Sequence, residues 1–299
     1  MSETIRHGAA AWSLVVALQL CPALVPVALA HRTFASPDAA MSAFGEAVLQ
    51  DDEARMKELL GPDFRTLIPP VGAEVRNRFV EAWGKSHSVE AADGRASIAV
   101  GDDGWTLPIP LVKSSNGWQF DTRAGAEEMR VRRIGRNELS ATQALLAIAD
   151  AQEEYAQTVH DGATTLVYAS KLSSTPGKHD GLYWPTTPDE PESPLGPGFR
   201  DAGTKHASKD GYYGYHYKLL IGQGPHAKGG AYSYVVDGKL FGGFAVIAWP
   251  VRYQDTGVMS FIVSHDGQVY ERDLGADSAR KAGEIKIFDP DPRWRKVSP

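Results

Sequence analysis

Apolar positions in the first third of the chain recur with the period of a helix. Ser36-Pro37-Asp38 opens the first such segment, with Ser36 as cap and Pro37 at the first helical position, where its missing N–H removes no bond. Ala40, Phe44, Ala47 and Val48 then share one side. A second short helix is expected from Glu53 to Leu60, stopped by Gly61-Pro62, and a third carries Val75, Phe79, Val80 and Trp83. From Ala96 the period drops to two, because SIAV, WTLPIPLV and WQFDT are short apolar runs separated by the turn compositions GDDG and SSNG. The pattern predicts three helices followed by an antiparallel sheet covered on one face.

Between Arg123 and Val159 the helical period returns, as one long helix or two joined near Gly135. Its first part, AEEMRVRRIGRNE, is charged; its second carries Leu145, Ile148, Ala149, Tyr155 and Val159 on a broad face, which predicts docking on a sheet. Arg130, Arg132, Arg133 and Arg136 suggest an anion site, but Glu127, Glu128 and Glu138 interleave with them. Intrahelical ion pairs or a network at a domain interface account for such a cluster better. Further on, Tyr213, Tyr215, Tyr217 and Leu219 alternate with Gly214, His216 and Lys218, and Phe244, Val246 and Ala248 alternate likewise. A hairpin is expected to join Phe261-Ile262-Val263 to Val269-Tyr270 across Ser264-His265-Asp266-Gly267. The fold class is therefore α+β, divided into an N-terminal domain at 31–122, a connecting helical segment at 123–136 and a C-terminal domain at 137–299.

Residues 1–30 read as a cleavable export signal. Arg6 and His7 precede an apolar run from Ala9 to Leu20, and Ala28-Leu29-Ala30 has the small-residue pattern of a cleavage site. Pro22 and Pro26 interrupt the run before the ~20 residues that a spanning helix needs. Lipidation at Cys21 is disfavoured by Leu20 before it and Pro22 after it. Cleavage removes the chain's single cysteine, so the exported form has no disulfide, thiolate ligand or cysteine nucleophile. The expected location is the periplasm or outside the cell, with no stable membrane insertion. The net charge of -6 is unchanged by cleavage, because Glu3 and Arg6 cancel, and no Lys/Arg block marks a nucleic-acid or anionic-lipid surface. An envelope protein, a glycan or a small molecule is the expected partner.

Three His-Asp-Gly tripeptides, at His160, His179 and His265, come nearest to a chemical motif. Asp-Gly is ordinary turn chemistry, so His160 and His265 read as incidental to turns. His179 differs because the loop from Ser173 to Pro197 also holds Asp180, Tyr183, Trp184 and the acidic Asp189, Glu190 and Glu192. Long aromatic loops are often functional. Folded over the sheet, His179 and Asp180 could meet His216, His226 or Arg252 in a polar cleft walled by Tyr183 and Trp184. The competing reading is a packed lid whose aromatic side chains cover the sheet. Trp83, Trp105 and Trp118 are either core or the lining of a pocket between helices and sheet, and His87 is a candidate base in such a pocket. No phosphate-binding loop, nucleophile elbow, His-Glu-x-x-His or dinucleotide fingerprint is present, and no cofactor or metal is expected.

The phrases STPGKHDGLYWP, GYYGYHYKLL and FIVSHDGQVYERDLG, with IPLVKSSNGWQFDT and RRIGRNELSA upstream, resemble the bacterial envelope family named domain of unknown function 2950 over the whole chain after the signal. The resemblance implies export and no known reaction. The N-terminal order of helices then strands, ending in Gly-Trp-x-Phe-Asp, resembles the nuclear-transport-factor-2-like fold. The C-terminal helix and strands, with Gly257, Phe261, Val263, Gly267 and Val269 in register, resemble the globular part of type IV pilins and pseudopilins. A pilin's helix begins in the membrane, whereas this helix follows another domain. A binding or assembly-accessory role is expected, with an envelope hydrolase or metal-assisted enzyme around His179 as the alternative.

The intact mass of the exported protein is expected to place its N-terminus at His31 without a lipid adduct. Retention of residues 1–30 contradicts that expectation.

Overall fold

The computed structural model describes residues 32–186, 192–200 and 209–297. Residues 1–30, where an export signal is expected, and the acidic residues Asp189 and Glu190 lie outside the described residues. Four helices come first: α1 (Pro37–Leu49), α2 (Glu53–Leu60), α3 (Phe64–Leu67) and α4 (Ala73–Lys85). The Ser36 side chain accepts from the Ala39 amide and Asp52 from the Arg55 amide, so each of the first two helices starts on a side-chain cap. The one-turn α3 has no period to betray it in the sequence.

A four-stranded antiparallel meander follows, β1 (His87–Ala92), β2 (Arg95–Val100), β3 (Leu111–Ser114) and β4 (Gly117–Phe120). Strand β1 was not expected. It is an edge strand exposed at all but one position, so no alternation of apolar residues marks it. Only the end of WTLPIPLV becomes strand; its prolines withhold ladder donors, and Thr106 contributes a single bridge to Ala99. Phe44, Leu59, Phe64, Ile98, Ile109, Leu111 and Phe120 fill the core between helices and sheet.

Helix α5 (Thr122–Tyr155) then runs unbroken for 34 residues, through Gly135, with the Asp121 side chain accepting from the Ala124 amide at its start. The sequence had left two joined helices open, and Val159 on the same face. Val159 falls beyond the last turn and is exposed.

Beyond α5 the chain builds β5 (Lys171–Ser173), β6 (Gly181–Tyr183), β7 (Tyr215–Leu220), the short strands β8 (Gly222–Gln223), β9 (Tyr232–Ser233), β10 (Val235–Val236) and β11 (Lys239–Leu240), then β12 (Ala245–Pro250), β13 (Met259–Ser264) and β14 (Tyr270–Asp273). Helix α6 (Ser278–Glu284) and β15 (Arg295–Lys296) close the described chain. The main sheet has the antiparallel order β15-β14-β13-β12-β7. On one face Leu145, Ile148 and Tyr155 of α5 meet Tyr215, Tyr217, Val246, Ala248, Phe261 and Val263. On the other, Leu220, Ile247 and Ile262 pack with Ala282, Phe288 and Trp294. The expected alternation thus holds from Tyr215 onward. Tyr213 leaves it, because it sits at φ +50° beside Gly214 at φ +73° in a turn, and its ring is exposed. Among the described residues no helix is long and apolar enough to cross a membrane.

Two glycines on helices give opposite forecasts. A Cβ on Gly45 in α1 would stand 2.3 Å from the Trp83 ring, whereas one on Gly135 in α5 meets nothing within 4 Å. Gly45→Ala is expected to destabilise by about 1–3 kcal/mol through overpacking, despite alanine's better helix propensity. Gly135→Ala should stabilise by up to about 1 kcal/mol. Urea denaturation of both variants checks the pair; the same sign for both would refute the packing.

Candidate functional site

A sizeable apolar cavity, of about 480 Å³, lies between α1, α3, α4 and the first half of α5. Phe44, Val48, Met56, Phe64, Leu67, Ile68, Val75, Phe79, Trp105, Leu107 and Met129 line it. Each wall follows from its element. Helix α1 offers Phe44 and Val48, four residues apart, and α4 offers Val75 and Phe79 at the same spacing. Trp105 meets Phe79 edge-on at 6.2 Å, and Arg132 of α5 donates to the Thr106 carbonyl at 2.7 Å, which holds the tryptophan's segment against α5. At the mouth, Val71, Val75 and Trp105 stay 52%, 46% and 42% exposed. Of the three tryptophans weighed as core or lining, Trp105 lines the cavity and Trp83 is buried beside it, while Trp118 is half-buried and bridged to Phe34. His87 stacks on Trp83 at 4.5 Å, donates from Nδ1 to the Trp83 carbonyl at 2.8 Å, and is not among the lining residues.

Charge is concentrated at the rim. Arg65 pairs with Glu53, and Arg76 donates to the Val48 and Leu49 carbonyls at 3.0 and 2.9 Å, where the last turn of α1 leaves acceptors open. The Arg76 Nε is buried without a hydrogen-bond partner and lies 3.9 Å from Asp51. Arg136 is exposed and bonds to no group among the described residues. The signals for this site were an apolar run, Leu67-Ile68-Pro69-Pro70-Val71, assigned to no element, and an arginine cluster one member larger than its carboxylates.

The loop after α5 is organised differently from the expected cleft. Tyr183 and Trp184 are each only 5% exposed and join the core under α5. Strands β5 and β6 pair in parallel across a seven-residue connection, so tight that a Cβ on Gly181 would stand 2.6 Å from the Ser174 amide. Asp180 closes this loop by accepting from the Thr175 amide at 2.8 Å, the Thr175 hydroxyl at 2.9 Å and the Lys171 ammonium at 2.7 Å. Burial alone would raise its pKa, but those donors outweigh burial and hold it at about 2.

His179 lies 4.5 Å from the Trp184 ring, while its amide donates to the Asp161 carboxylate and its carbonyl accepts from the Tyr155 hydroxyl at 2.5 Å. His160 stacks on Tyr155 at 3.9 Å and stands 5.9 Å from Trp184. Two of the three His-Asp-Gly segments are thus brought together at the end of α5, a juxtaposition that sequence spacing hides.

The remaining residues do not reach this place. His216 alternates with Tyr215 and Tyr217, so it projects from the opposite face of the sheet, where it meets Trp249 at 5.6 Å and burial lowers its pKa. Lys218, on that same face, donates to the Ala282, Gly283 and Ile285 carbonyls. Arg252 bonds Asp255, which pairs with Arg133. Residues 133 and 155 are roughly 33 Å apart along a helix rising 1.5 Å per residue, which separates Arg252 from His179. His226 bonds Asp289 at 3.0 Å. A polar recess of about 380 Å³ near His265 and Asp266 includes Gln223, whose amide is spent on the Lys228 and Gly230 carbonyls and the Tyr234 hydroxyl. No group of three or more His, Cys, Asp or Glu among the described residues could hold a metal.

The family described as Protein of unknown function (DUF2950) matches residues 31–297, and the chain belongs to it. No curated protein and no solved structure matches. The likenesses to the nuclear-transport-factor-2-like fold and to pilins rest on the sequence pattern alone.

Asp180→Ala is expected to cost about 1.5–3 kcal/mol at neutral pH, since it strands three donors. The folded pKa is depressed, so this stabilisation is present above the unfolded value of about 4 and is lost as pH falls through about 2. The stability gap between wild type and variant, read by denaturant titration, should therefore narrow between those two values. A gap that widens on acidification rules out this role.

Proposed function

We propose that this member of the DUF2950 family is a non-catalytic binding protein of the cell envelope that holds an apolar small molecule in the cavity between α1, α3, α4 and α5. Export to the envelope is part of the proposal and rests on the signal-like first thirty residues. The observation that carries the binding reading is the cavity itself. Its volume of about 480 Å³ falls within the ~300–1,000 Å³ of small-molecule sites, and it combines apolar walls with a few charged groups at the rim. Val71, Val75 and Trp105 are left in water at its mouth, an arrangement that an occupant would relieve.

A second reading, an envelope hydrolase with His179 as general base, is favoured by one juxtaposition. The half-exposed His179 ring stands beside buried Trp184, with its Nδ1 4.0 Å from Asp161. It is the weaker reading, because Asp180 is committed to closing the loop and neither His216 nor Arg252 reaches the place.

Binding of the neutral fluorescent probe N-phenyl-1-naphthylamine separates the two. Val75→Trp fills the cavity mouth from an exposed position and should abolish probe binding, with stability within about ±0.5 kcal/mol of wild type. His179→Ala should leave binding intact. Full binding by Val75→Trp together with loss in His179→Ala would move the site to the loop.

A further inference from the structure

We infer that the cavity's ligand is a single-chain amphiphile with a carboxylate head, its alkyl tail among the apolar walls and its head on Arg136. This rests on the cavity being the binding site. Five arginines lie on the first half of α5; Arg123, in its first turn, is away from the cavity, and of the cluster Arg130, Arg132, Arg133 and Arg136 three are committed. Arg130 bonds Glu127 and the Gln254 carbonyl, Arg132 bonds Glu128 and Thr106, and Arg133 bonds Asp255. Arg136 alone of the four bonds to nothing among the described residues, and it is the one of them that lines the cavity.

The other charges around the cavity each have a partner, although the Arg76 Nε is left without a hydrogen bond. Arg65 is paired with Glu53 and lies over the Phe64 ring, and Arg76 is held by α1 carbonyls with Asp51 nearby. Asp52 accepts from the Arg55 amide at the start of α2. The lining therefore carries one positive charge without a partner. Along α5, Met129 and Arg136 are seven residues apart, two turns on one face, so the wall passes from apolar to cationic over roughly 10 Å. That is the polarity of an amphiphile lying along the helix.

The head group follows from the same inventory. A guanidinium presents a planar fork of donors that fits a carboxylate in two parallel bonds. Arg65 and Arg76 offset two of the three lining carboxylates, Asp51, Asp52 and Glu53, so Arg136 is the one cation left for a head group, which suits a monoanion better than a phosphate dianion.

The test is displacement of N-phenyl-1-naphthylamine from the purified protein by decanoate, decanol and decyl phosphate, each below its micellar concentration. Decanoate should displace the probe at about one-fifth the concentration of decanol, the advantage expected of a solvent-accessible charged contact. In Arg136→Gln that advantage should vanish while decanol is unaffected, and Arg136→Glu should reverse it. Arg136 is exposed, so thermal stability of the variants should match wild type.

Equal affinity for decanoate and decanol, a preference that survives in Arg136→Gln, or tighter binding of decyl phosphate overturns the carboxylate assignment. If Val75→Trp still abolishes binding, the cavity reading stands without it. Failure of every competitor and of the probe itself removes both.

Discussion

One helix is common to both cores, and most of the molecule's geometry depends on how it is held. Gly125 in the first turn of α5 sits so close to Ile109 that a Cβ would stand 2.9 Å from it, which locks the helix to the N-terminal core. One turn later Met129 enters the cavity wall, and from Ala141 to Tyr155 the same rod lies on the five-stranded sheet. Burial carries the energy: each fully buried Leu, Ile or aromatic side chain on this face contributes about 1.5–3 kcal/mol, against about 0–1 for each exposed ion pair. The polar contacts in between set position. The Asn137 side-chain amide donates to the Thr256 carbonyl at 2.8 Å, and Glu138 accepts the Val258 and Met259 amides at 2.8 and 2.9 Å. With Arg130 and Arg133 on the two preceding turns, they fix where the sheet meets the helix.

That attachment explains why the N-terminal cavity stays open. Three of its walls belong to the helical layer, but the fourth is α5, whose angle is dictated by packing at its far end. Helix α3 and the Pro69-Pro70 segment cannot close over the gap as a regular element, since the one is a single turn and the prolines cannot continue it. A cavity formed where rigid pieces fail to meet needs no special strain.

Legibility followed periodicity. Helices α1, α2 and α4, and the alternation on β7 and β12, were readable because each buries one face against one partner. Strand β1, exposed on both faces, and α3, shorter than a period, left no such trace. The arginine cluster was legible as an ion-pair network, yet the sequence could not say which arginine is left over, because Asp255 comes from 122 residues away. The loop was read for its residue types, and its geometry lay in contacts that spacing conceals. Asp161 and Asp180 look alike on paper as members of His-Asp-Gly. In the fold one receives the His179 amide and the other closes its own loop on Thr175 and Lys171.

The two ends of α5 therefore use polar side chains in opposite ways. At the C-terminal end, the backbone of His179 and the side chains of Asp161 and Asp180 are consumed in tying the β5–β6 loop to the last turn, the His179 ring nitrogens are left unbonded among the described residues, and the Tyr183 and Trp184 rings are buried beneath. Such a network fixes shape, and its polar groups have little capacity left for a ligand. Near the other end, apolar rings stand at an open mouth and one guanidinium has all its donors available. Binding requires groups whose pairing is incomplete before the ligand arrives, since only those gain on contact. By that criterion the cavity beside Arg136 is the better candidate for recognition, and most of the polar groups of the loop around His179 are already spent on the fold.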